Sequence, residues 1–243
     1  MVSGDREDDT AADAAAADAA APDESADEDE ELSRRLQQIK QRGCNVLVTK
    51  STGGPAVDRI TARLLGSPRE ERYRILVMIR DDVDALAVKF PGGVSILDDE
   101  THLVDYRDEL DGDDPTPEQF PPPEGEDPLP NLRAELENRM ADCVAGRDLE
   151  PAQLRVGVDS LGPLLDRYPT STVSEFVTDV TSSVRGADGM GHFHVAMSDE
   201  RARELPFASA FDARIELRQI QARPVAHRIH LPEYGASDWM YVR

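Results

Sequence analysis

The sequence has at residues 154–160 the stretch Leu-Arg-Val-Gly-Val-Asp-Ser, a mainly apolar run that ends in a carboxylate and a hydroxyl. A short apolar run bounded by polar residues is typical of a buried strand in a parallel sheet. The leucines that follow, at 161, 164 and 165, have the spacing of a helix or a turn. We therefore predict a strand over 154–158 that places Asp159 and Ser160 at its carboxyl end.

Predicted strands and helices alternate on both sides of this stretch. The other predicted strands cover residues 45–49, 73–79, 94–97, 192–197, 211–217, 225–230 and 239–242. Predicted helices cover 33–41, 55–65, 83–88 and 131–145, and a further helix is capped by Ser174. This order predicts an α/β fold of three layers, with a mainly parallel sheet flanked by helices and antiparallel strands at the C-terminal edge.

Two segments lack the apolar residues that a folded core needs. Residues 1–31 carry 13 acidic side chains and a single basic one, Arg6, and they have no large apolar residue after Val2. Residues 108–130 are acidic and rich in proline. Such compositions cannot bury enough apolar surface to offset the entropy of ordering. We predict a disordered tail over 1–31 and a single domain over 32–243 that contains a disordered insertion at about 108–130.

The net charge of −22 makes nucleic acids and anionic membrane surfaces poor partners. Lysine occurs only at positions 40, 50 and 89, and this acidic, lysine-poor composition resembles that of proteins from salt-in halophilic archaea. Cys44 and Cys143 are isolated, which indicates neither a disulfide framework nor a zinc site. The sequence has no signal-peptide pattern and no apolar run long enough to cross a bilayer, so we expect a cytoplasmic protein.

The first candidate site follows the strand over 45–49 and reads Lys-Ser-Thr-Gly-Gly-Pro-Ala-Val-Asp over residues 50–58. A strand, a glycine-containing loop and a helix form the setting of a phosphate-binding loop. The helix does not open with the Lys-Ser or Lys-Thr pair of the consensus, and Asp58 in its first turn would repel a phosphate. Either this segment is a structural turn, or a degenerate phosphate loop holds an anion. The loop residues are Ser51, Thr52, Gly53 and Gly54.

Carboxylates follow two further predicted strands. Asp81 and Asp82 come after the strand over 73–79, where a carboxylate pair could polarise a water molecule or cap the next helix. Asp159 and Ser160 offer hard oxygen ligands of the kind that Mg²⁺ prefers.

Two histidines, His192 and His194, alternate along one predicted strand and therefore share a face of the sheet. A metal site there would need a carboxylate such as Asp159 beside them, and without one the pair is structural.

Residues 155–165, Arg-Val-Gly-Val-Asp-Ser-Leu-Gly-Pro-Leu-Leu, resemble the Walker B strand of RecA/KaiC-like P-loop proteins, in which an apolar strand ends in Asp-Ser-Leu. Residues 191–195, residues 211–218 and a strand that finishes near Trp239 are similar to the late strands of that group. Short domain-of-unknown-function proteins of haloarchaea show this layout with a degenerate loop. The resemblance covers about residues 42–243 apart from the insertion.

This resemblance implies a role for each candidate residue. Asp159 matches the magnesium-orienting Asp, and Asp81 or Asp82 matches the catalytic Glu pair. Since the loop lacks its lysine, the resemblance implies a non-catalytic regulatory or scaffold protein, a pseudo-ATPase that binds a protein partner or itself and needs no cofactor. The alternative is a weak or slow ATP-binding protein or ATPase, in which loop backbone holds the phosphates and Asp159 with Ser160 holds Mg²⁺.

Overall fold

The structure is a computed structural model that describes residues 24–50, 54–80, 86–107, 128–220, 223–232 and 234–242. Its helices are α1 (Glu24–Gln41), α2 (Pro55–Leu64), α3 (Leu86–Lys89), α4 (Pro128–Val144), α5 (Gly162–Arg167), α6 (Thr170–Gly186) and α7 (Asp199–Ala202). Its strands are β1 (Cys44–Lys50), β2 (Tyr73–Met78), β3 (Thr101–Asp105), β4 (Leu154–Val158), β5 (Met190–Val195), β6 (Ala213–Arg218), β7 (Ala226–Leu231), β8 (Gly235–Ala236) and β9 (Met240–Tyr241).

The described strands form one mixed sheet in the order β3-β2-β4-β5-β1-β6-β7-β8, and β9 pairs with β7. All pairs from β3 to β6 are parallel, whereas β7 is antiparallel to β6, β8 and β9. Every residue of β4 and β5 is buried, as expected of parallel strands that are covered on both faces. The predicted α/β fold, with a mainly parallel sheet and antiparallel strands at its C-terminal edge, is confirmed.

Helices cover both faces of the sheet because successive side chains of a strand point to opposite sides. On β1, Leu47 packs into one apolar cluster with α4 and α6, while Val46 and Val48 pack into another with α1 and α2. The face of α6 that enters the first cluster has the helical spacing of Val173, Phe176, Val177, Val180 and Val184. The molecule therefore has three layers, helix, sheet and helix.

The third strand lies at Thr101–Asp105, so the predicted strand over 94–97 is wrong. Residues 94–97 instead follow Gly92-Gly93 and form turns. The Ser95 N–H donates to Asp98 Oδ2 at 2.8 Å, and the Asp98 N–H donates back to the Ser95 carbonyl at 3.2 Å. Local hydrogen bonds to Asp side chains compete with the hydrogen bonds of a strand ladder. In this segment the local bonds form, and the backbone turns.

Several predicted boundaries also change. Helix α1 begins at Glu24, so the last residues of the predicted tail are helical, and Glu31 in this stretch pairs with Arg35 at 2.6 Å. Helix α4 begins at Pro128, inside the predicted insertion. Ser174 does not cap α6, because that helix already starts after Pro169. Residues 1–23 and 108–127, where disorder was predicted, lie outside the described residues.

The strand order creates a crevice at the carboxyl end of the sheet. Strand β5 lies between β4 and β1. The chain leaves β1 for α2 on one face and leaves β5 for α7 on the other, since Val57 of α2 and Ala202 of α7 belong to different apolar clusters. Ligands of open α/β sheets bind at such switch points. The predicted loop and Asp159 both stand at this end.

Candidate functional site

Asp159 follows β4 at the carboxyl end of the sheet, and its carboxylate turns towards the end of β2. Its Oδ1 accepts the Ile79 N–H at 2.8 Å, and its Oδ2 accepts the Arg80 N–H at 3.3 Å. The residue is 2% exposed. Strand β2 ends at Met78, so these two N–H groups lie beyond its ladder. Asp159 therefore stabilises the end of the neighbouring strand.

Ser160 is also buried and contributes to the turn that leads into α5. Its Oγ accepts the Gly162 N–H at 3.3 Å. A Cβ placed on Gly162 would lie 3.8 Å from Nη1 of Arg80, so the Arg80 guanidinium stands over this turn. A cation already lies close to the pair that was predicted to hold Mg²⁺.

The remaining predicted residues are only partly described. Ser51, Thr52 and Gly53 of the phosphate loop and the pair Asp81 and Asp82 lie outside the described residues.

Gly54 of the same loop is described, with a φ of 102° that favours glycine, and it precedes α2 without a side-chain cap. Open space surrounds it, since a Cβ at Gly54 would meet nothing within 4 Å. Pro55 at the first position of α2 has no N–H to offer an anion.

Asp58 in the first turn of α2 does not present an unbalanced negative charge, contrary to the expectation from sequence. Its Oδ1 lies 3.2 Å from Nζ of Lys89, which belongs to α3 and whose side chain is 2% exposed. Sequence analysis did not select Lys89 as a site residue. The available signal was its identity, because a lysine is rare in a chain that otherwise uses arginine.

His192 and His194 share the face of β5 under α2, as their alternation predicted. Their rings meet edge to face at 5.4 Å, and Nε2 of His194 lies 3.3 Å from Oγ1 of Thr61. Burial, with the charges of Arg155 and Lys89 in addition, lowers the pKa of His192 to about 3. Burial also lowers the pKa of His194 well below its usual value. Both rings are therefore uncharged near neutral pH, and the Asp159 carboxylate accepts its hydrogen bonds from the end of β2.

A cluster that sequence analysis missed joins Asp199, Glu216 and His230, whose ligand atoms lie within 4.8 Å of one another. Such a set could hold a metal ion. Arginines already occupy its carboxylates, however, with Arg214 at 2.9 Å from Asp199 and Arg228 at 2.7 Å from Glu216. Arg203 also lies 3.7 Å from Asp199, so a metal ion would compete with three arginines for these carboxylates. The three residues come from α7, β6 and β7, so only the fold brings them together.

A cavity of about 330 Å³ opens at the opposite, amino end of the sheet. Its lining contains four basic side chains, Lys40, Arg63, Arg72 and Arg155, and one acidic side chain, Glu70. Sequence analysis missed this cavity too. A usable signal was the arginine inside the apolar run of β4, because a charged residue in a buried strand needs an explanation.

The chain matches, over residues 43–217, the model of a family that is described as a family of unknown function, DUF7504. The match covers more than two thirds of the chain. It begins at the residue before β1 and ends at Leu217, the last residue of β6 that pairs with β1. The chain belongs to the DUF7504 family. No curated protein matches it. The prediction of a domain-of-unknown-function protein is thereby confirmed.

In this DUF7504 protein the matched range contains the whole parallel part of the sheet, with Asp159 at one end and most of the basic cavity at the other. Cys44 and Cys143 are buried and form no disulfide. Burial raises the pKa of the Cys44 thiol to about 11, which keeps it protonated. No described helix of the DUF7504 protein is long and apolar enough to cross a membrane.

Proposed function

We propose that this protein is a non-catalytic RecA/KaiC-like regulatory or scaffold protein, a pseudo-ATPase that acts through contacts with a protein partner or with copies of itself. One observation carries the proposal. The carboxylate of Asp159, which stands where the resemblance places the magnesium-orienting Asp, accepts two backbone N–H groups from the end of β2. These bonds occupy two of the lone-pair positions that a Mg²⁺ ion would otherwise use, so they favour a structural role of the carboxylate.

The charges around the crevice also favour a protein without turnover. Phosphoryl transfer requires cations that neutralise the charge developing on the transferred group. Helix α2 opens with Pro55 and Ala56 in place of a lysine and a hydroxyl residue. Lys89 is buried and ion-paired with Asp58, so it supports the packing of α3 on α2.

The RecA-like part of the proposal is supported by the strand order. A glycine follows β1 directly before a helix, and β1 lies at a switch point of a mainly parallel sheet.

Exposed apolar side chains at two places support a role in protein contacts. Val88 and Leu97 lie in the segment that leads to the edge strand β3, and Leu97 is 87% exposed. Ile220 and Tyr241 lie beside the antiparallel strands at the other edge. Exposed apolar groups and edge strands are common features of interaction surfaces.

Weak ATP binding is the second candidate, and one observation favours it. Asp58 does not repel an anion at the start of α2, because Lys89 offsets its charge. The space around Gly54 is open. Backbone N–H groups at a helix N-terminus can hold a phosphate without a lysine.

Nucleotide binding distinguishes the two candidates. We expect a fluorescent ATP analogue with Mg²⁺ to show no saturable binding at near-millimolar concentrations in molar potassium chloride, and we expect no release of phosphate from ATP. Analytical ultracentrifugation of the same samples would report self-association. Saturable binding alone would favour the second candidate, and binding together with hydrolysis would overturn the non-catalytic proposal.

Substitution of Asp159 tests the observation on which the proposal rests. Asp159→Ala should lower the free energy of unfolding by about 2 kcal/mol, because two N–H groups at the end of β2 lose their acceptors. Urea unfolding followed by circular dichroism measures this change. The control is Asp142→Ala on the exposed face of α4, which should leave stability within about 0.5 kcal/mol of the wild type. An Asp159→Ala protein as stable as the wild type would contradict the structural role of the carboxylate.

A further inference from the structure

The cavity at the amino end of the sheet concentrates positive charge in a protein whose net charge is −22. Lys40, Arg63, Arg72 and Arg155 line it, and Glu70 is the one acidic side chain in the lining. Arg155 lies near the start of β4, and Asp159 follows the end of that strand. About 13 Å of strand therefore separates the cavity from the predicted nucleotide crevice. The two sites are separate.

Arg155 is a buried cation, and no carboxylate of the described residues lies within ion-pair distance of its guanidinium. It is 6% exposed, and it forms no ion pair within the part of the chain that the structure describes. Its Nη1 donates to the Leu64 carbonyl at 3.3 Å and contacts the sulfur of Met190, while its Nε has no partner among the described residues. Burial lowers the pKa of its guanidinium to about 10. Burying an unpaired charge is costly, so an anion at this position would stabilise the protein.

Arg74, on the neighbouring strand, is a buried arginine whose guanidinium nitrogens all donate to backbone carbonyls, and it serves as a comparison for Arg155. It lies opposite Arg155 in the pairing of β2 with β4 and is buried to a similar degree. Its Nε and both terminal nitrogens donate to backbone carbonyls, including that of Leu65 at 3.0 Å. These bonds satisfy carbonyls of the segment that connects α2 to β2. Among the described residues Arg155 has one such acceptor, so its Nε lacks the partner that the Nε of Arg74 has.

Arg72 supplies a second converging donor. Its Nη1 donates to the Ala152 carbonyl at 3.0 Å and its Nη2 pairs with Glu70 at 2.6 Å, but its Nε has no partner among the described residues. Gly66 leaves room between the two arginines. A Cβ on Gly66 would lie 3.5 Å from Nε of Arg72 and 3.6 Å from Nε of Arg155. Two buried Nε donors that have no partner among the described residues therefore lie on either side of Gly66, at the wall of the cavity.

We propose that this cavity binds the phosphate group of a small phosphorylated molecule, with Arg72 and Arg155 holding the phosphate oxygens and Lys40 adding charge at the rim. Guanidinium groups match the planar spacing of phosphate oxygens. The volume of 330 Å³ equals that of about ten water molecules, which leaves room for an organic group beside the phosphate. The proposal is independent of nucleotide binding at the other end of the sheet.

Calorimetric titration of the full chain tests the site, with inorganic phosphate and glycerol 3-phosphate as probes at constant ionic strength. We expect saturable binding of both, and tighter binding of the ester if the ligand is a phosphorylated metabolite. Equal affinities would identify free phosphate as the ligand. Both results support an anion site, and the absence of binding of either probe would overturn it.

Four variants locate the binding. Arg72→Gln and Lys40→Gln should each weaken binding, the former by about tenfold or more. Glu70→Gln should tighten it, because the exposed carboxylate that competes for Arg72 is removed. Arg80→Gln, the same change at the opposite end of the sheet, should leave affinity unchanged. Since Lys40 and Glu70 are exposed, their variants remain informative if Arg72→Gln does not fold. Loss of binding in Arg80→Gln alone would place the anion at the predicted nucleotide crevice and contradict the proposal.

Discussion

Acidification from about pH 7.5 to about pH 5 is expected to lower the free energy of unfolding by at least ~2 kcal/mol. The cause is the histidine pair on β5. The pKa of His192 is about 3 in the folded protein because the ring is buried, whereas an unfolded histidine titrates near its usual 6.5. His194 is shifted in the same direction and adds to the effect.

The sign follows from proton counting. Below about pH 6.5 the unfolded chain binds protons at both rings while the folded protein does not. The free energy of unfolding therefore decreases as the pH is lowered. Each histidine contributes up to about 1.4 kcal/mol per pH unit in this window. Stability from this source is fully present above pH ~6.5 and is lost progressively towards the folded pKa. Urea unfolding midpoints measured across the window report it directly.

Variants of the pair distinguish this source from the many carboxylates. His194→Gln keeps a side chain that can hydrogen-bond to Thr61 and should reduce the pH dependence above about pH 5, while His192 continues to contribute. His102→Gln on the edge strand β3 is the matched control and should retain the acid response of the wild type. Carboxylates with a lowered pKa, such as that of Glu70, act at lower pH. Unchanged stability between about pH 7.5 and about pH 5 would show that the rings are not held neutral in the folded protein.

Gly157→Ala is expected to lower the free energy of unfolding by ~3 kcal/mol, and Gly157→Val by more. Gly157 lies at the centre of β4, directly opposite Leu76 on one neighbouring strand and His192 on the other. A Cβ at this position would lie 2.6 Å from Cε1 of His192 and 3.1 Å from Cδ1 of Leu76. Both neighbours are fully buried, so neither can move without disturbing the core.

The measurement is again the free energy of unfolding in urea. Gly186→Ala, at the end of α6, is the matched control, since its added Cβ meets nothing within 4 Å. That variant should be as stable as the wild type or more stable by about 0.5 kcal/mol, because alanine favours helix. If Gly157→Ala were equally harmless, His192 would have an alternative position, and its burial could not explain the acid response.

The sequence revealed the position of Asp159 but not its hydrogen-bond partners. The Asp-Ser ending of the stretch at 154–160 correctly placed Asp159 at the carboxyl end of a buried strand. Its hydrogen-bond partners are the N–H groups of Ile79 and Arg80, some eighty residues earlier in the chain. No local pattern reveals them, because a carboxylate that holds a metal and a carboxylate that caps a neighbouring strand have the same sequence context.

The amino-acid sequence by itself determined the layers of this protein. Apolar runs such as 154–158 must be buried on both faces, and the helical spacing of α6 must cover one of them, so a mainly parallel sheet between helices follows from patterning alone. Apolar patterning is less reliable where local hydrogen bonds compete with strand pairing. Residues 94–97, predicted as a strand, form turns for this reason.

Only the tertiary structure decided which distant groups meet. Arg72 and Arg155 converge because β2 pairs with β4, and Lys40 joins them because α1 ends beside β1. Asp58 meets Lys89 because α3 packs on α2, and His192 lies opposite Gly157 because β4 pairs with β5. Strand order brings residues together that are far apart along the chain, and it depends on the packing of the whole core. Charge pairing and ligand sites depend on those distances, so they emerge only with the fold.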